Sequence, residues 1–263
     1  TIADQAFYNC DAIKRIELPS SLDSIGSQAF YSCDNLTIVV SKIQTPFKIN
    51  TNVFVNDGSK SSAVLYVPEG TTSAYQQYEG WNVFSEILEG EPKEIAYEGL
   101  IYNYFENKGT ATVIGRADET LRTIKIPGVV PVGNTNYSVT MIGNAAFQQC
   151  YIDTLDVNEG VEIIEKNAFR YNYSLRSVSL PKSLRTIGDE AFYNDYNFIE
   201  LIIPEGVDSV GRRAFSSCSS IRKIEIPSTI SRIGEQAFAY IENLTSVTSR
   251  IQTPFAINQN VLR

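Results

Sequence analysis

One short motif, Ile-Gly-x-x-Ala-Phe, returns along this 263-residue chain at a nearly constant spacing. Its Phe falls at Phe7, Phe30, Phe147, Phe169, Phe192, Phe215 and Phe238, and neighbours within each run are 22 or 23 residues apart. A period of this length is typical of solenoids, in which each repeat buries its apolar residues against the next repeat. The period therefore constrains the fold more strongly than local propensities do.

Each Phe is followed by a strand pattern, Leu-x-x-Ile-x-Ile-Pro, as in residues 175–181 and 221–227. Alternating apolar residues predict a strand with one buried face, and Pro ends the strand because it cannot donate to a ladder. The Gly of the motif allows a tight bend, and the x-x-Ala-Phe segment is expected to form about one helical or 3₁₀ turn. Stacked repeats then predict a column of buried Phe side chains.

These residues resemble the leucine-rich repeats of BspA-like bacterial surface proteins, whose units read roughly L-x-x-I-x-I-P-x-x-V-x-x-I-G-x-x-A-F-x-x-C. The resemblance covers most of the chain. It implies a right-handed leucine-rich repeat solenoid with a parallel concave sheet, short helical turns in each repeat and β-rich caps. It also implies an exported protein of the bacterial cell surface that binds other macromolecules, including host matrix proteins.

Residues 41–50 and 249–258 are near copies that follow the last strand of a repeat array, which indicates array-ending caps. We predict that residues 1–90 are the end of a first array with its C-terminal cap. Residues 91–145 are predicted to be a β-hairpin start of a second array, and residues 146–263 the second array with a truncated cap. The chain opens within a repeat, which favours a segment of a longer protein that carries its signal or anchor elsewhere.

The first cap is predicted to continue with a strand at residues 63–68 and a short helix at residues 72–78. Two hairpins are predicted after it. The Asn-Lys-Gly turn at residues 107–109 separates two strand patterns, and residues 128–140 add about one further hairpin to a repeat.

Composition removes several classes of function. The net charge of −8 argues against nucleic acid and anionic membranes as partners, and the sequence contains no run of 18 apolar residues that could span a membrane. The absence of His removes Ser-His-Asp, Cys-His and His-metal sites, so we expect no catalytic residue, no metal and no cofactor. The four Cys each follow a repeat Phe by three residues and are predicted to be free, although Cys10 and Cys33 lie in adjacent layers that a disulfide could join.

The third and fifth places of the strand pattern point away from the core and predict a ligand-binding face. The candidates are Arg15, Glu17, Thr123, Lys125, Thr154, Asp156, Ser177, Ser179, Glu200, Lys223, Glu225, Ser246 and Thr248. Their short, polar and mixed character is equally consistent with a face that is merely soluble. Tyr8, Tyr31 and Tyr193, each directly after a repeat Phe, either form an alternative exposed aromatic stripe or pack beside the core.

Three hypotheses for function follow. The first is a non-enzymatic adhesion module that binds a protein or extracellular-matrix ligand. The second is glycan recognition, in which sugars would stack on exposed tyrosines. The third is a carboxylate-based glycosidase, which needs two facing carboxyls in one pocket. Acidic side chains such as Glu190 and Glu235 recur at places that the repeat pattern predicts to be solvent-exposed.

Overall fold

The computed structural model describes residues 1–55, 61–106, 108–257 and 260–261. It divides into two compact units, Thr1–Pro92 and Lys93–Arg263. Each unit is built from parallel repeat strands with little helix, and the predicted leucine-rich repeat solenoid is confirmed. The three-region division, with its further border between residues 145 and 146, stays a prediction.

The first unit continues its repeat sheet into the cap. Its described elements are β1 (Arg15–Leu18), β2 (Ile38–Ser41), β3 (Ser61–Val67), α1 (Thr72–Gln77) and β4 (Phe84–Glu89). The four strands are parallel and pair in chain order, so the predicted cap strand and helix both form. Two buried cap side chains bond to the 41–50 segment: Trp81 Nε1 donates to the Phe47 carbonyl at 2.7 Å and the Tyr75 hydroxyl to the Ile43 carbonyl at 2.8 Å.

The second unit begins with antiparallel strands and then becomes repetitive. Its described strands are β5 (Lys93–Tyr97), β6 (Leu100–Phe105), β7 (Thr110–Arg116), β8 (Thr123–Ile126), β9 (Val129–Val132), β10 (Thr135–Ile142), β11 (Thr154–Val157), β12 (Ile163–Ile164), β13 (Ser177–Ser179), β14 (Thr186–Ile187), β15 (Glu200–Ile202), β16 (Ser209–Val210), β17 (Lys223–Ile226), β18 (Arg232–Ile233) and β19 (Ser246–Ser249). Both predicted hairpins form, because β6 pairs antiparallel with β7 and β9 with β10. Residue 107 of the first turn lies outside the described residues.

Two sets of parallel strands run through the second unit. One is continuous from β10 through β12, β14, β16 and β18. The other consists of the Leu-x-x-Ile-x-Ile strands, with β8, β11 and β13 in one sheet and β15, β17 and β19 in another. Among the described residues no strand pairing joins β13 to β15. The predicted parallel sheet of repeat strands is therefore present, but it is interrupted once, between β13 and β15.

The repeat Phe side chains form the predicted columns. In the second unit the column contains Phe147, Phe169, Phe192, Phe215 and Phe238, with ring centroids 5.0 to 5.8 Å apart and nearly parallel planes. In the first unit the stacked rings are Phe7, Phe30 and Phe54. Stacked aromatic pairs of this kind contribute about 0.5–1.5 kcal/mol each beyond the burial of their area.

The Ala-Phe segment is a pair of tight turns rather than a helix. In the layer of Phe169, the amides of Ala168 and Arg170 donate to the carbonyls three residues earlier, at 3.3 and 3.1 Å. Asn167, which directly precedes Ala168, has a φ of 60°, and the equivalent residue of every repeat is also left-handed, which prevents a right-handed helix from continuing. The layers then approach so closely that a Cβ on Gly211 would lie 2.5 Å from the Asp189 amide nitrogen.

Candidate functional site

The predicted face residues of the second unit are aligned by strand register in two blocks, one on each side of the break. In the first block Thr123, Thr154 and Ser177 share one row, and Lys125, Asp156 and Ser179 share the next. In the second block the rows are Glu200, Lys223 and Ser246, then Ile202, Glu225 and Thr248. Arg15 and Glu17 hold the same places on β1 of the first unit. All of these candidates are exposed or half-buried, so the face is open to solvent.

Charged candidates on this face are held in ion pairs. Lys223 Nζ lies 2.8 Å from Glu200 Oε1 and 2.6 Å from Glu225 Oε1, and Arg250 Nη2 lies 3.0 Å from Glu225 Oε2. Hydrogen bonds with the two carboxylates raise the pKa of Lys223 to about 12, and the bond from Lys223 lowers the pKa of Glu225. A charged ligand would have to compete with these internal pairs.

Charged candidates on β1 are engaged in the same way. Arg15 Nη2 lies 3.2 Å from Glu91 Oε1, and Glu17 Oε1 lies 2.6 Å from Lys42 Nζ. The hydrogen bond from Lys42 lowers the pKa of Glu17. Among the described candidates, the side chains without an internal ion pair are therefore the Ser and Thr hydroxyls together with Lys125 and Asp156.

The break between β13 and β15 is a local opening of the repeat-strand face. Elsewhere the second residue of each strand pattern donates to the preceding layer, as from the Arg176 amide to the Asp153 carbonyl at 2.9 Å and from the Arg222 amide to the Ile199 carbonyl at 2.7 Å. Within the described part of the chain, no such bond joins Ile199 to Arg176. The core beneath stays closed, because the rings of Phe169 and Phe192 remain 5.0 Å apart.

Apolar side chains are exposed at this opening. Ile199 and Ile202 are 58% and 54% exposed. Val178 in the middle of β13 is only half-buried, whereas Leu155 and Ile224 at the same place of other layers are completely buried. The opening is therefore a shallow, partly apolar interruption in an otherwise polar face.

The tyrosines predicted as one stripe are distributed over the two units. Tyr8 is exposed and stacks on Tyr31 at 5.2 Å in the first unit. In the second unit Tyr193 packs edge-on against Tyr171 at 5.6 Å, and the Arg170 guanidinium lies 4.6 and 5.3 Å from the centres of these two rings. Arg170 thus covers one face of each of these two rings, which reduces the ring surface open to a sugar.

A second tyrosine set borders the opening and was not predicted. Tyr151, Tyr173 and Tyr196 each stand four residues after a repeat Phe, in three consecutive layers. Tyr173 stacks on Tyr196 at 5.3 Å and meets Tyr151 edge-on at 6.4 Å, while Tyr151 and Tyr196 remain 53% and 40% exposed. Layers outside this set carry Asp, Ser or Glu at that place, so an alignment of the repeats on their Phe residues would have revealed it.

The carboxyl of Glu190 is not solvent-exposed, and the predicted exposure was wrong for this residue. Glu190 is only 7% exposed because arginines from the layers before and after it bracket its side chain. Its oxygens lie 3.1 Å from Arg170 Nη1 and 3.4 Å from Arg212 Nη2. Glu235, which stands one place earlier in the motif of another repeat, is exposed as predicted.

In several layers the residue three places after the repeat Phe donates a hydrogen bond to the preceding layer. Cys218 Sγ donates to the Phe192 carbonyl at 3.1 Å, and Asn172 Nδ2 donates to the Phe147 carbonyl at 2.8 Å. Asp195 occupies this place without such a bond: its Oδ1 accepts from the Asn172 amide at 2.6 Å, but Oδ2 has no partner among the described residues. Burial raises the pKa of the Asp195 carboxyl well above its ordinary value.

All four Cys are free thiols, as predicted. In the described residues, no group of three or more His, Cys, Asp and Glu side chains could hold a metal ion. Likewise, none of the described helical segments is long and apolar enough to cross a membrane.

One cavity bears on the glycosidase hypothesis. It has a volume of about 400 Å³ and lies in the last repeats of the second unit, lined by Ser228, Ile230, Ser231, Gln252, Thr253, Pro254 and Phe255. None of these side chains is a carboxyl, and glycoside hydrolysis needs two of them across the scissile bond. The cavity therefore does not provide that chemistry.

Solved structures from several bacteria are similar to this chain. A leucine-rich repeat protein from Bacteroides ovatus has a TM-score of 0.52 at 31% identity, covering 59% of this chain and 40% of that one. A leucine-rich cell surface protein from Faecalibacterium prausnitzii has a TM-score of 0.56 at 19% identity, covering 95% and 63%. The pneumococcal vaccine antigen PcpA has a TM-score of 0.55 at 18% identity, covering 100% and 63%.

The two similarities below 20% identity support the fold alone. This chain spans less than two thirds of each of these three proteins. A comparison with curated proteins found no match. The model of the BspA-type leucine-rich repeat region matches six copies, in residues 1–77 and 140–261. The chain belongs to the BspA-type leucine-rich repeat family.

Proposed function

We propose that this chain is a non-enzymatic binding module of a bacterial cell surface, which recognises a protein or extracellular-matrix ligand through its repeat surfaces. The observation that carries the proposal is the open repeat-strand face, with its aligned Ser and Thr rows and its neighbouring exposed tyrosines. A broad face of this kind suits a macromolecule, whereas small substrates are usually bound in concave pockets. Membership of the BspA-type leucine-rich repeat family supports the proposed location.

The direct test is binding of the purified chain to surfaces coated with single matrix proteins such as collagen, fibronectin or fibrinogen. We expect saturable binding to at least one of them. Replacing Ser177 and Ser179 with Arg places two long charged side chains on the exposed face, and binding should weaken at least tenfold. The matched control is Ser20→Arg with Ser21→Arg, two exposed serines in a turn after β1. Failure of every protein to bind, or equal binding by both double variants, would contradict the proposal.

Glycan recognition is the second candidate, and the stacked pair of Tyr8 and Tyr31 favours it. Tyr8 is exposed, and an exposed ring can accept the apolar face of a sugar. An array of neutral and acidic glycans tests it with the Tyr8→Ser variant. Glycan binding that is lost in this variant, together with no binding to any protein, would favour this candidate over the first.

A further inference from the structure

Several residues depart from the repeat pattern at the place where β13 and β15 do not pair: two isoleucines are exposed and two tyrosines stack beside the missing ladder. We propose that this place, the β13–β15 opening, is a docking site for an extended protein segment that carries an aliphatic side chain between acidic ones. The opening is defined by Tyr173, Arg176, Tyr196, Ile199, Ile202 and Arg222. The inference rests on the proposed protein-binding function and assigns it a location and a ligand chemistry.

Backbone groups at the opening favour an extended peptide. In the described part of the chain, the Ile199 amide does not make the interlayer bond that the equivalent residues Arg176 and Arg222 make, and no ladder joins β13 to β15. The two layers stay in contact, since the rings of Phe169 and Phe192 are 5.0 Å apart, so the peptide lies over the opening and bonds to main-chain groups such as the Ile199 amide rather than inserting between the strands. The two strands are also only three residues long, which limits the added contact to a short segment.

The exposed isoleucines favour an aliphatic side chain in the ligand. At the second place of the strand pattern the other layers of this unit carry Arg122, Asp153, Arg176, Arg222 and Thr245, so Ile199 is the apolar exception. Ile202 is likewise the apolar exception at the fifth place. Burying such side chains against an apolar partner is favourable by about 25 cal/mol per Å². A hydroxyl-rich sugar would gain little from either isoleucine.

Two arginines favour acidic groups beside that aliphatic side chain. Arg176 and Arg222 stand at the second place in the layers on either side of Ile199 and are exposed. Neither forms an ion pair within the described ranges, whereas Arg122 at the same place is paired with Asp153 at 3.1 Å. In a chain with a net charge of −8, these unpaired guanidinium groups are a local positive site for ligand carboxylates.

The tyrosine rim supplies rigid contact area next to these groups. Tyr173 and Tyr196 stand just before β13 and β15, and their rings already stack at 5.3 Å. Rings held in this way lose little side-chain entropy when a ligand binds, and Tyr and Arg are the residue types that dominate protein interfaces.

The test is a selection of peptides that bind to the whole chain. A phage-displayed library of random peptides of about 12 residues, which reach roughly 40 Å when extended, is panned on the immobilised protein. Enriched sequences are synthesised and their Kd is measured by fluorescence polarisation. Two double variants then use residues that other layers of this chain carry at the same places: Ile199→Thr with Ile202→Ser, and Arg176→Thr with Arg222→Thr. Circular dichroism confirms that each remains folded, and Lys14→Thr, an exposed second-place residue of the first unit, is the matched control.

We expect the enriched peptides to share an aliphatic residue flanked by Asp or Glu. Affinity should fall at least tenfold in the isoleucine variant and about tenfold in the arginine variant, which should also lose most of the salt dependence, while Lys14→Thr changes it less than twofold. Peptides without this pattern, or peptides that bind the two double variants as well as the parent, overturn the proposal. Binding of a sulfated glycan such as heparin through the same arginines, without any selected peptide, also overturns it.

The same variants separate this inference from the proposed function. If matrix-protein binding is lost in Ser177→Arg with Ser179→Arg but is unchanged in both double variants of the opening, the docking site is wrong and the binding module stands. If no protein binds the chain at all and no peptide is enriched, both are wrong.

Discussion

Replacing Asp195 with Asn should stabilise the second unit at neutral pH. Asp195 is fully buried, and its Oδ2 has no hydrogen-bond partner among the described residues. An Asn side chain keeps an oxygen for the Asn172 amide and adds an NH₂ group that can donate to the Phe169 carbonyl, as Asn172 does to the Phe147 carbonyl. Removing one unsatisfied buried polar atom is worth about 1–3 kcal/mol. For a unit of this size, each kcal/mol raises Tm by about 2–4 °C.

The sign of the pH dependence follows from the raised pKa of Asp195. Because the folded protein holds this proton more tightly than the unfolded chain, the wild-type unit is favoured below the ordinary Asp pKa of about 3.9. This contribution is lost as pH rises from there through the raised pKa. The Asn variant does not titrate at this position, so its advantage should be largest at pH 7–8 and should shrink toward pH 4.

Calorimetry and far-ultraviolet circular dichroism measure this effect across that pH range. The chain's single Trp lies in the cap of the first unit, so its fluorescence reports separately on a unit that the substitution does not touch. Asp208→Asn is the matched control, since Asp208 is exposed and makes no side-chain hydrogen bond in the described structure. Loss of stability in Asp195→Asn at pH 7, or an unchanged difference from wild type between pH 4 and 8, would refute the reasoning.

Three further predictions concern the core and the first cap. Phe192→Ala should lower the free energy of unfolding by about 3–5 kcal/mol in urea titrations, because it leaves a cavity in the middle of the Phe column. Ser179→Ala, on the exposed face, should change it by less than about 0.5 kcal/mol. Equal effects of the two substitutions would contradict the Phe column. A thiol reagent at pH 8 should modify half-buried Cys150 in the native protein and Cys218 only after unfolding, because Cys218 is fully buried and burial raises its pKa. Tyr75→Phe should cost about 1–3 kcal/mol, measured by the fluorescence of the single Trp in urea, since it leaves the buried Ile43 carbonyl without its donor; an unchanged urea midpoint would argue against this bond.

The scaffold could be predicted from the sequence because it depends on residues that recur. The period of 22 or 23 residues predicted the solenoid, and the placement of Phe predicted the column that is found at ring distances near 5 Å. The near copies at 41–50 and 249–258 identified the cap, in which Phe47 and Ile43 supply carbonyls to buried Trp81 and Tyr75. The Asn-Lys-Gly turn at residues 107–109 predicted the first hairpin, and the extra length of residues 128–140 predicted the second.

The candidate site could be predicted only in part, because it depends on exceptions to the repeat. The strand pattern placed Ser177 and Glu200 on the solvent face, but the pattern is the same on both sides of the break and carries no information on whether neighbouring ladders pair. Burial of Glu190 depends on Arg170 and Arg212, which lie about one repeat away in either direction. Contacts between layers of this kind are invisible when each repeat is considered alone.

A solenoid supplies its own internal comparison, since each place in the repeat is sampled in every layer. Around β13 and β15 a buried Asp replaces Cys or Asn, isoleucines replace polar residues, tyrosines replace Asp or Ser, and a ladder is interrupted. The buried carboxyl, the exposed apolar side chains and the lost ladder each oppose stability or solubility, so their coincidence is not explained by the needs of the scaffold. Local conflicts with the fold gather at functional sites. The Asp195→Asn variant therefore tests whether the buried carboxyl belongs to the docking site. If the variant binds the selected peptides with unchanged Kd, the carboxyl is separate from the docking site. If binding weakens, the unfavourable burial of this carboxyl beneath the opening contributes to the formation of the opening.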